Sequence, residues 1–476
     1  MGLLSRRSLC ALVLMAGIAA AHGGHEAVPE GSAISLEPLD TTLWIHILLM
    51  GLSFGLIFPL GMVLGMVRSR WHVPVQTVGT VIAIVAYFLG HAHKGRQFGK
   101  NVHASVANWL MLLLVVQVVL GVYLRLHLEK AFQGRIRWIF VRAHGIIGKI
   151  MPVVSWTQML FGGITALGFC QGEHTGQCAA HFIMGSAFVA YGITLLVLLL
   201  AGQYWLRRTG RSQEFFDSAV IAAWGCVNTF TEHHWGGEWV RNDLQHTLMG
   251  VIWWCAGLLG MWMSRTRGGQ PKRNIIPAIV IIQTGYSMGA HPQTLMISTM
   301  IHTFFGYTLM AAGVARIIEI SFVLRDKPAI DMSGSDPNSF QFLTPFLLCA
   351  SGFLFMGATE EQMQLLADAD ISHVAYLLIL FSITFIVFLF AHILIHVYAV
   401  HVFPRDDDTE TDARGKYGNA NGRHGNGRVR SSSDAQRIQD AEGFELQGLV
   451  SDEEEGESSL GPRRTSDEEL GRKETP

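Results

Sequence analysis

The sequence predicts an all-α protein, built as a polytopic transmembrane helix bundle of about eleven spans. A cleaved signal peptide precedes the bundle and a disordered acidic tail follows it. Half of the 476 residues are hydrophobic and only 15% are charged, whereas soluble domains carry about 25% charged residues. About half of the 37 acidic residues lie in the last segment, residues 405–476. The composition excludes an ordinary soluble enzyme, and six cysteines are too few for a disulfide-rich scaffold.

Residues 1–21 have the pattern of a secretory signal peptide. Arg6 and Arg7 precede a short apolar run, residues 9–17, and three alanines at 19–21 suit a signal peptidase. An uncleaved first span is the alternative, but this run is shorter than the ~20 residues that a span requires. Residues 22–40 then form a short segment outside the membrane.

Eleven apolar segments between residues 41 and 402 approach the length of a membrane span. They lie at about residues 41–67, 73–91, 104–124, 143–167, 181–206, 215–231, 244–263, 274–290, 294–324, 340–359 and 371–402. We divide them into a five-helix domain, residues 41–210, and a six-helix domain, residues 211–404.

The orientation follows from the basic residues. Lys and Arg concentrate in the loops on one side, for example at Arg207, Arg208 and Arg211. This bias predicts a mature N-terminus on the outer or lumenal side and a cytosolic tail. The signal peptide predicts entry into the secretory pathway, although nothing in the sequence selects one membrane. The tail after residue 404 has no apolar period and is predicted to be disordered.

Two cysteines, Cys170 and Cys178, share the predicted outer loop at residues 168–180. A disulfide is compatible with an oxidising compartment, but proximity on a short loop permits the bond without requiring it. The sequence leaves both states open.

One histidine lies near the N-terminal end of each of the first four spans: His46, His72, His103 and His144. Because successive spans alternate in direction, His46 and His103 are expected in the outer leaflet, and His72 and His144 in the inner leaflet. Two neutral imidazoles from facing helices can hold a low-spin haem iron. Histidines that merely sit near lipid headgroups are the alternative, but four in register favour two haems along an electron path across the membrane.

Local motifs around these histidines resemble the transmembrane domain of the cytochrome b561 family, which includes ferric reductases that take electrons from ascorbate. The motifs are His46 with Met50, Pro59 with Gly61, Trp71-His72 with Gln76 and Gly79, His103 with Gln117 and Gly121, and His144 with Gly148. The resemblance implies two haem b groups, one held by His46 and His103 and the other by His72 and His144. One departure is Ile47, where the family usually has glycine.

The C-terminal half has its own histidines and carboxylates, most of them predicted on the outer side. They are Glu232, His233, His234, His246, His291, Glu360, Glu361 and His373. A divalent metal such as zinc, copper or iron could bind to His233, His234, His246 and His302. A hydrogen-bonded network between helix ends is the alternative. Glu319 is expected to pair with Arg316 inside the bundle.

The whole arrangement also resembles fungal Ytp-like membrane proteins, through the run at residues 228–234 and the run at residues 316–319. That family has no settled biochemical role.

The four paired histidines and the motifs around them favour a transmembrane oxidoreductase. It would take electrons from a small cytosolic donor such as ascorbate and pass them to an outer acceptor such as a ferric or cupric complex. A haem-free metal or proton transporter or sensor, or a membrane scaffold, remains open. Nothing favours a nucleic-acid partner.

Overall fold

The computed structural model describes residues 32–127, 136–233, 236–325 and 337–402. All the regular structure in these ranges is helical, apart from two isolated β-bridges. The helices are α1 Thr41–Met66, α2 His72–Ala92, α3 Val102–Arg125, α4 Arg137–Leu167, α5 Thr175–Leu200, α6 Gln203–Thr209, α7 Gln213–Thr231, α8 Arg241–Met263, α9 Ile276–Gly289, α10 Met296–Leu324, α11 Ser339–Met356, α12 Glu360–Asp368 and α13 His373–Val402. The predicted signal peptide and tail lie outside the described residues.

Nine of the helices in the described ranges are long and apolar enough to cross a membrane: α1 to α5, α8, α10, α11 and α13. The two other predicted spans are also helical, as α7 and the 14-residue α9. The all-α polytopic fold class is therefore confirmed. The predicted fifth span, residues 181–206, is interrupted after Leu200, and its last residues lie in the separate short helix α6. Helix α12 is a short helix that the hydropathy pattern did not predict.

Side chains at the helix starts explain several boundaries. Asp40 caps α1 by accepting a hydrogen bond from the backbone N–H of Leu43 at 2.9 Å. Asn101 caps α3 in the same way, by accepting a 2.8 Å hydrogen bond from the backbone N–H of Ala104. Thr359 and Gln362 form a capping box at the start of α12. These caps satisfy N–H groups that have no partner within the helix, which fixes where each helix begins.

The first four helices pack as two antiparallel hairpins. Helix α1 packs on α2, and α3 packs on α4. The hairpins meet mainly through α1 and α4, around a small buried core. That core consists of Phe54, Phe58, Ala83, Leu110, Leu114 and Met151. Part of α1, Gly51–Ile57, is a π-helix that contacts both α2 and α4.

The later helices form a denser bundle, in which α7 packs on α8, α9 on α10, and α5 on α11. Its core contains Ile301, Phe305 and Leu309, all fully buried. Helix α5 packs more extensively on α11 than on any of the first four helices. The predicted domain boundary after residue 210 stays a prediction.

A buried ion-pair network crosses this second bundle. The Arg316 guanidinium lies 2.7 Å from the Glu319 carboxylate, as the sequence predicted, and also 2.7 Å from the Glu214 carboxylate. Arg273 lies 2.8 Å from the same Glu214 oxygen. The network joins α7, α10 and the segment before α9, so it holds three parts of the chain together.

Cys170 and Cys178 are joined in a disulfide. The backbone N–H of Cys170 donates a 2.8 Å hydrogen bond to the Glu361 carboxylate, which ties the loop between α4 and α5 to α12.

Candidate functional site

Two pairs of imidazoles lie at opposite ends of the first four helices. The ring centroids of His46 and His103 are 6.4 Å apart, and those of His72 and His144 are 6.2 Å apart. The ring planes are nearly perpendicular in both pairs, at 84° and 88°. Because His46 lies on α1, His103 on α3, His72 on α2 and His144 on α4, each pair joins one helix of each hairpin.

In the first hairpin, each histidine is held by the backbone of the partner helix. His46 Nδ1 lies 2.7 Å from the carbonyl oxygen of Ala86 on α2. His72 Nδ1 lies 2.7 Å from the carbonyl oxygen of Gly61 on α1. A carbonyl only accepts hydrogen bonds, so in both rings Nδ1 carries the proton and donates it. Nε2 is left as the nitrogen with a free lone pair, the tautomer that a metal ligand needs.

In the second hairpin, two glutamines have matching positions. His103 Nδ1 lies 3.2 Å from the Gln158 carbonyl oxygen and 2.9 Å from the Gln158 side-chain nitrogen, which also donates to the His103 carbonyl. The Gln117 side chain donates a 3.0 Å hydrogen bond to the His144 carbonyl. His144 Nδ1 is buried and has no hydrogen-bond partner among the described residues.

A glycine faces each of the four rings, one helical turn beyond the residue that contacts the histidine. The four combinations are Ala86 and Gly90 at His46, Gly61 and Gly65 at His72, Gln158 and Gly162 at His103, and Gln117 and Gly121 at His144. A Cβ at Gly90 would lie only 2.6 Å from His46 Nδ1, and one at Gly162 would lie 3.1 Å from His103 Cε1. Larger residues at these positions would displace the rings.

This geometry fits a haem iron held by two histidines. A metal–imidazole bond is about 2 Å long and the ring centre lies roughly 1 Å further out, so two imidazoles on opposite sides of one metal have centroids roughly 6 Å apart. Both pairs have this separation. The free Nε2 atoms of His46 and His72 and the four facing glycines agree with the same arrangement.

Among the described residues, the predicted C-terminal metal ligands do not form a group of three close ligand atoms. His233 lies 3.2 Å from the Asp243 carboxylate and stacks on Trp239. His246 lies 3.3 Å from the Glu232 carboxylate and stacks on His291 at 5.9 Å.

His302 instead pairs with His181 on α5, and His234 lies outside the described residues. The sequence analysis missed His181 as a partner, although His181 begins the fifth predicted span just as the other histidines begin theirs.

A cavity of about 410 Å³ lies in the second bundle. Its walls are mostly apolar side chains of α5, α7, α9 and α10, with Tyr191, Asp217 and Arg316 as polar residues. None of the paired histidines lines it, so it is separate from the candidate site.

Two protein families match different parts of the chain. The family described as "Protein YTP1-like, C-terminal" matches residues 154–399, and the "Domain of unknown function (DUF2427)" matches residues 26–127. The chain is 45% identical over 269 residues to Protein YTP1 of Saccharomyces cerevisiae, which covers 56% of this chain and 55% of that protein. The chain therefore spans about half the length of this relative.

Two uncharacterized membrane proteins are also similar. The one from Schizosaccharomyces pombe is 23% identical over 446 residues, covering 68% of this chain and 87% of that protein. A second one from Saccharomyces cerevisiae is 28% identical over 174 residues, covering 32% and 27% respectively. No solved structure matches the chain. The matched residues include most of the second bundle, and the chain belongs to the family of YTP1-like membrane proteins.

Proposed function

We propose that the first four helices carry electrons across a membrane through two haem b groups, one held by His46 and His103 and the other by His72 and His144. The observation that supports this most directly is the repeated geometry of the two imidazole pairs, with centroids 6.4 and 6.2 Å apart. Haem b, when bound, supplies the one-electron chemistry of its iron.

The protein orients the ligands. The carbonyls of Ala86 and Gly61 accept hydrogen bonds from Nδ1 of His46 and His72 and so direct Nε2 away from the hairpin backbone. Such partners raise the basicity of an imidazole and typically change metal affinity by 10–100-fold. In the second hairpin, the Gln158 and Gln117 side chains donate instead to the backbone carbonyls of His103 and His144, and so hold the two helices of that hairpin together beside the rings.

The spacing of the pairs suits transfer between two sides of a bilayer. His72 contacts Gly61, which follows His46 by 15 residues on α1, or about 22 Å at 1.5 Å per residue. Between the two pairs lie buried Phe54, Phe58 and Leu114. An apolar layer between the pairs opposes the passage of hydrated ions, so it favours a path for electrons over a path for solutes.

Basic residues lie at the end that is predicted to face the cytosol. The Arg70 guanidinium lies over the Trp71 ring at 5.9 Å, and the Arg142 guanidinium lies over the Trp138 ring at 5.2 Å. Both tryptophans are exposed. Positive charge beside His72 and His144 would attract an anionic donor such as ascorbate. The opposite pair would then reduce an acceptor such as a ferric or cupric complex.

The visible spectrum of the full-length protein in detergent tests the proposal. We expect sharp absorption bands after reduction and two haems per chain in a pyridine haemochrome assay. Alanine at His46 or His103 should remove one haem, and alanine at His72 or His144 should remove the other. His401→Ala, at an exposed position near the end of α13, is the matched control and should keep both. A haem-free protein from a haem-sufficient host would contradict the proposal and leave the transporter, sensor and scaffold alternatives.

A further inference from the structure

A third pair of imidazoles lies in the second bundle. His181 on α5 and His302 on α10 have ring centroids 5.9 Å apart and ring planes at 87°, close to the values of the first two pairs. Both residues are buried, with 7% and 6% of their surface exposed. Each lies near the start of its helix, and the predicted topology puts both on the same side of the membrane as His46 and His103.

The free nitrogens of this pair are defined by hydrogen bonds within each helix. His181 Nδ1 lies 2.8 Å from the carbonyl oxygen of Gln177, and His302 Nδ1 lies 2.9 Å from that of Ser298. Nδ1 is therefore the protonated nitrogen, and Nε2 has the lone pair. His181 Nε2 is buried and has no hydrogen-bond partner among the described residues. A buried nitrogen lone pair of this kind needs an explanation, and a metal ion supplies one.

The pair differs from the first two in what packs against the rings. Phe355 stacks flat on His181, with a centroid distance of 4.6 Å and an interplanar angle of 16°. Fully buried Phe305 packs on Phe355 at 4.8 Å. A Cβ placed on any of the described glycines would not have the His181 ring or the His302 ring among its nearest contacts, so no glycine faces this pair. The surroundings are closed around the rings, which suits a single ion and not a macrocycle.

The two imidazole nitrogens limit which metal ions can bind at this pair. Zinc in proteins is almost always held by three or four side chains. Among the described residues, the one group of three close ligand atoms is Cys170, Cys178 and Glu361, which includes neither histidine. Magnesium, calcium and manganese prefer oxygen ligands, whereas imidazole suits zinc, copper, iron and nickel, and of these copper alone has a common univalent state. The cost of burying an ion rises with its charge, so a univalent ion fits two neutral imidazoles in an apolar site best.

We propose that His181 and His302 bind one copper(I) ion through their Nε2 atoms. This site goes beyond the electron-transfer function proposed above and does not depend on it, because no residue is shared with either haem pair.

Anaerobic equilibration of the full-length protein with buffered copper(I), followed by mass-spectrometric metal analysis, tests the proposal. We expect one copper per chain. His181→Gln and His302→Gln should each weaken copper(I) binding at least tenfold. His392→Gln on α13, which also replaces a histidine within a span, should leave it unchanged. His302→Met should retain copper(I), because a thioether is a soft ligand for this ion. Retention of copper(I) by His302→Met would show that the glutamine variants lose a metal ligand and not the fold.

Three outcomes would overturn the copper site: no copper in the wild type, unchanged copper in both glutamine variants, or one zinc bound in its place with the same histidine dependence. Haem content is measured in the same samples. Absence of haem would reject the proposed function alone, whereas absence of copper with normal haem would reject this site alone.

Discussion

The two halves of the membrane body bury their apolar helices to different extents. In the most apolar window of each span, 11–28% of residues are buried within the protein in α1 to α4, compared with 33% in α5 and α8, 50% in α10 and 67% in α11. Helix α13, at 17%, is the exception in the second half. Histidines near helix starts face glycines in the first half, whereas His181 faces Phe355 in the second. Histidines at similar positions near helix starts therefore have different neighbours in the two halves. We expect the neighbour of each ring, glycine or phenylalanine, to determine how large a ligand the ring can bind.

The halves also differ in how their polar groups are satisfied. The first half holds its half-buried histidines mostly through backbone carbonyls and amides, for example at Ala86 and Gly61. The second half uses a buried ion-pair network centred on Arg316 and Glu214. Stability is thus expected to depend on charge pairing in the second half, and ligand binding is expected to depend on ring placement in the first.

The largest expected effect comes from Arg316→Met. The change leaves the buried carboxylates of Glu214 and Glu319 without their shared cation, and removing one partner of a buried ion pair costs about 3–5 kcal/mol. Unfolding in mixed detergent micelles, followed by tryptophan fluorescence, measures the loss. Arg265→Met, at an exposed position, is the control and should change little. Equal losses in the two variants would show that the network does not carry the stability of the second half.

A second prediction concerns the glycines of the first half. Gly162→Leu would force side-chain atoms into the His103 ring, so we expect haem binding at that pair to weaken by 10–100-fold, the usual effect of disturbing a ligand's support. Gly163→Leu is the neighbouring control, since a Cβ there meets nothing within 4 Å. Haem titration of both variants provides the comparison. If they lose haem equally, the facing glycine is not the reason for the ring's position.

Most of the fold follows from the sequence because bilayer thickness sets the length of each apolar segment. All eleven predicted segments are helical, although α4 begins at Arg137, several residues before the apolar run. The pairing of the four N-terminal histidines was also predictable, since alternating helix direction sorts them by leaflet. Their role as ligands stays a prediction.

The sequence could not reveal which residues face each ring. Gly65, Gly90 and Gly162 contact histidines on a partner helix, and such contacts depend on how each helix is rotated about its axis. Hydropathy is nearly uniform around these spans, so it carries no information about rotation. Glu214 and Arg316 are separated by 102 residues, so spacing along the chain could not pair them. His181 and His302 lie on α5 and α10, which come together only through the packing of the whole second bundle, so the sequence could not pair them.

A smaller effect is expected from removing the disulfide with Cys170→Ser and Cys178→Ser together. The bond closes a short loop, so its loss should lower the free energy of unfolding by about 2 kcal/mol. Because the loop contacts Glu361 of α12, the destabilisation should appear in the second half. Thermal unfolding with simultaneous haem absorbance separates the halves. Loss of haem at the same reduced temperature would mean that the two halves unfold as one unit.

The smallest effect is expected at the start of α1, with Asp40→Ala. The Asp40 carboxylate accepts hydrogen bonds from the backbone N–H groups of Leu43 and Lys94, at 2.9 and 3.0 Å, and so holds α1 against the loop after α2. Slight burial acts to raise the pKa of Asp40, but these N–H donors outweigh it and hold the pKa below its ordinary value of 3.8. Loss of such a cap costs about 1 kcal/mol.

The stabilisation by Asp40 should be fully present above its ordinary pKa and should disappear as the pH falls through the lowered value. The readout is the rate at which the haem of His46 and His103 is released, measured at a series of pH values. The variant should release it more readily at neutral pH and should approach the wild type in acid. Thr359→Ala removes the equivalent cap of α12 and should leave haem release unchanged, because that helix belongs to the second half. Matching haem release in the Asp40 variant and the wild type at neutral pH would show that the start of α1 does not position His46.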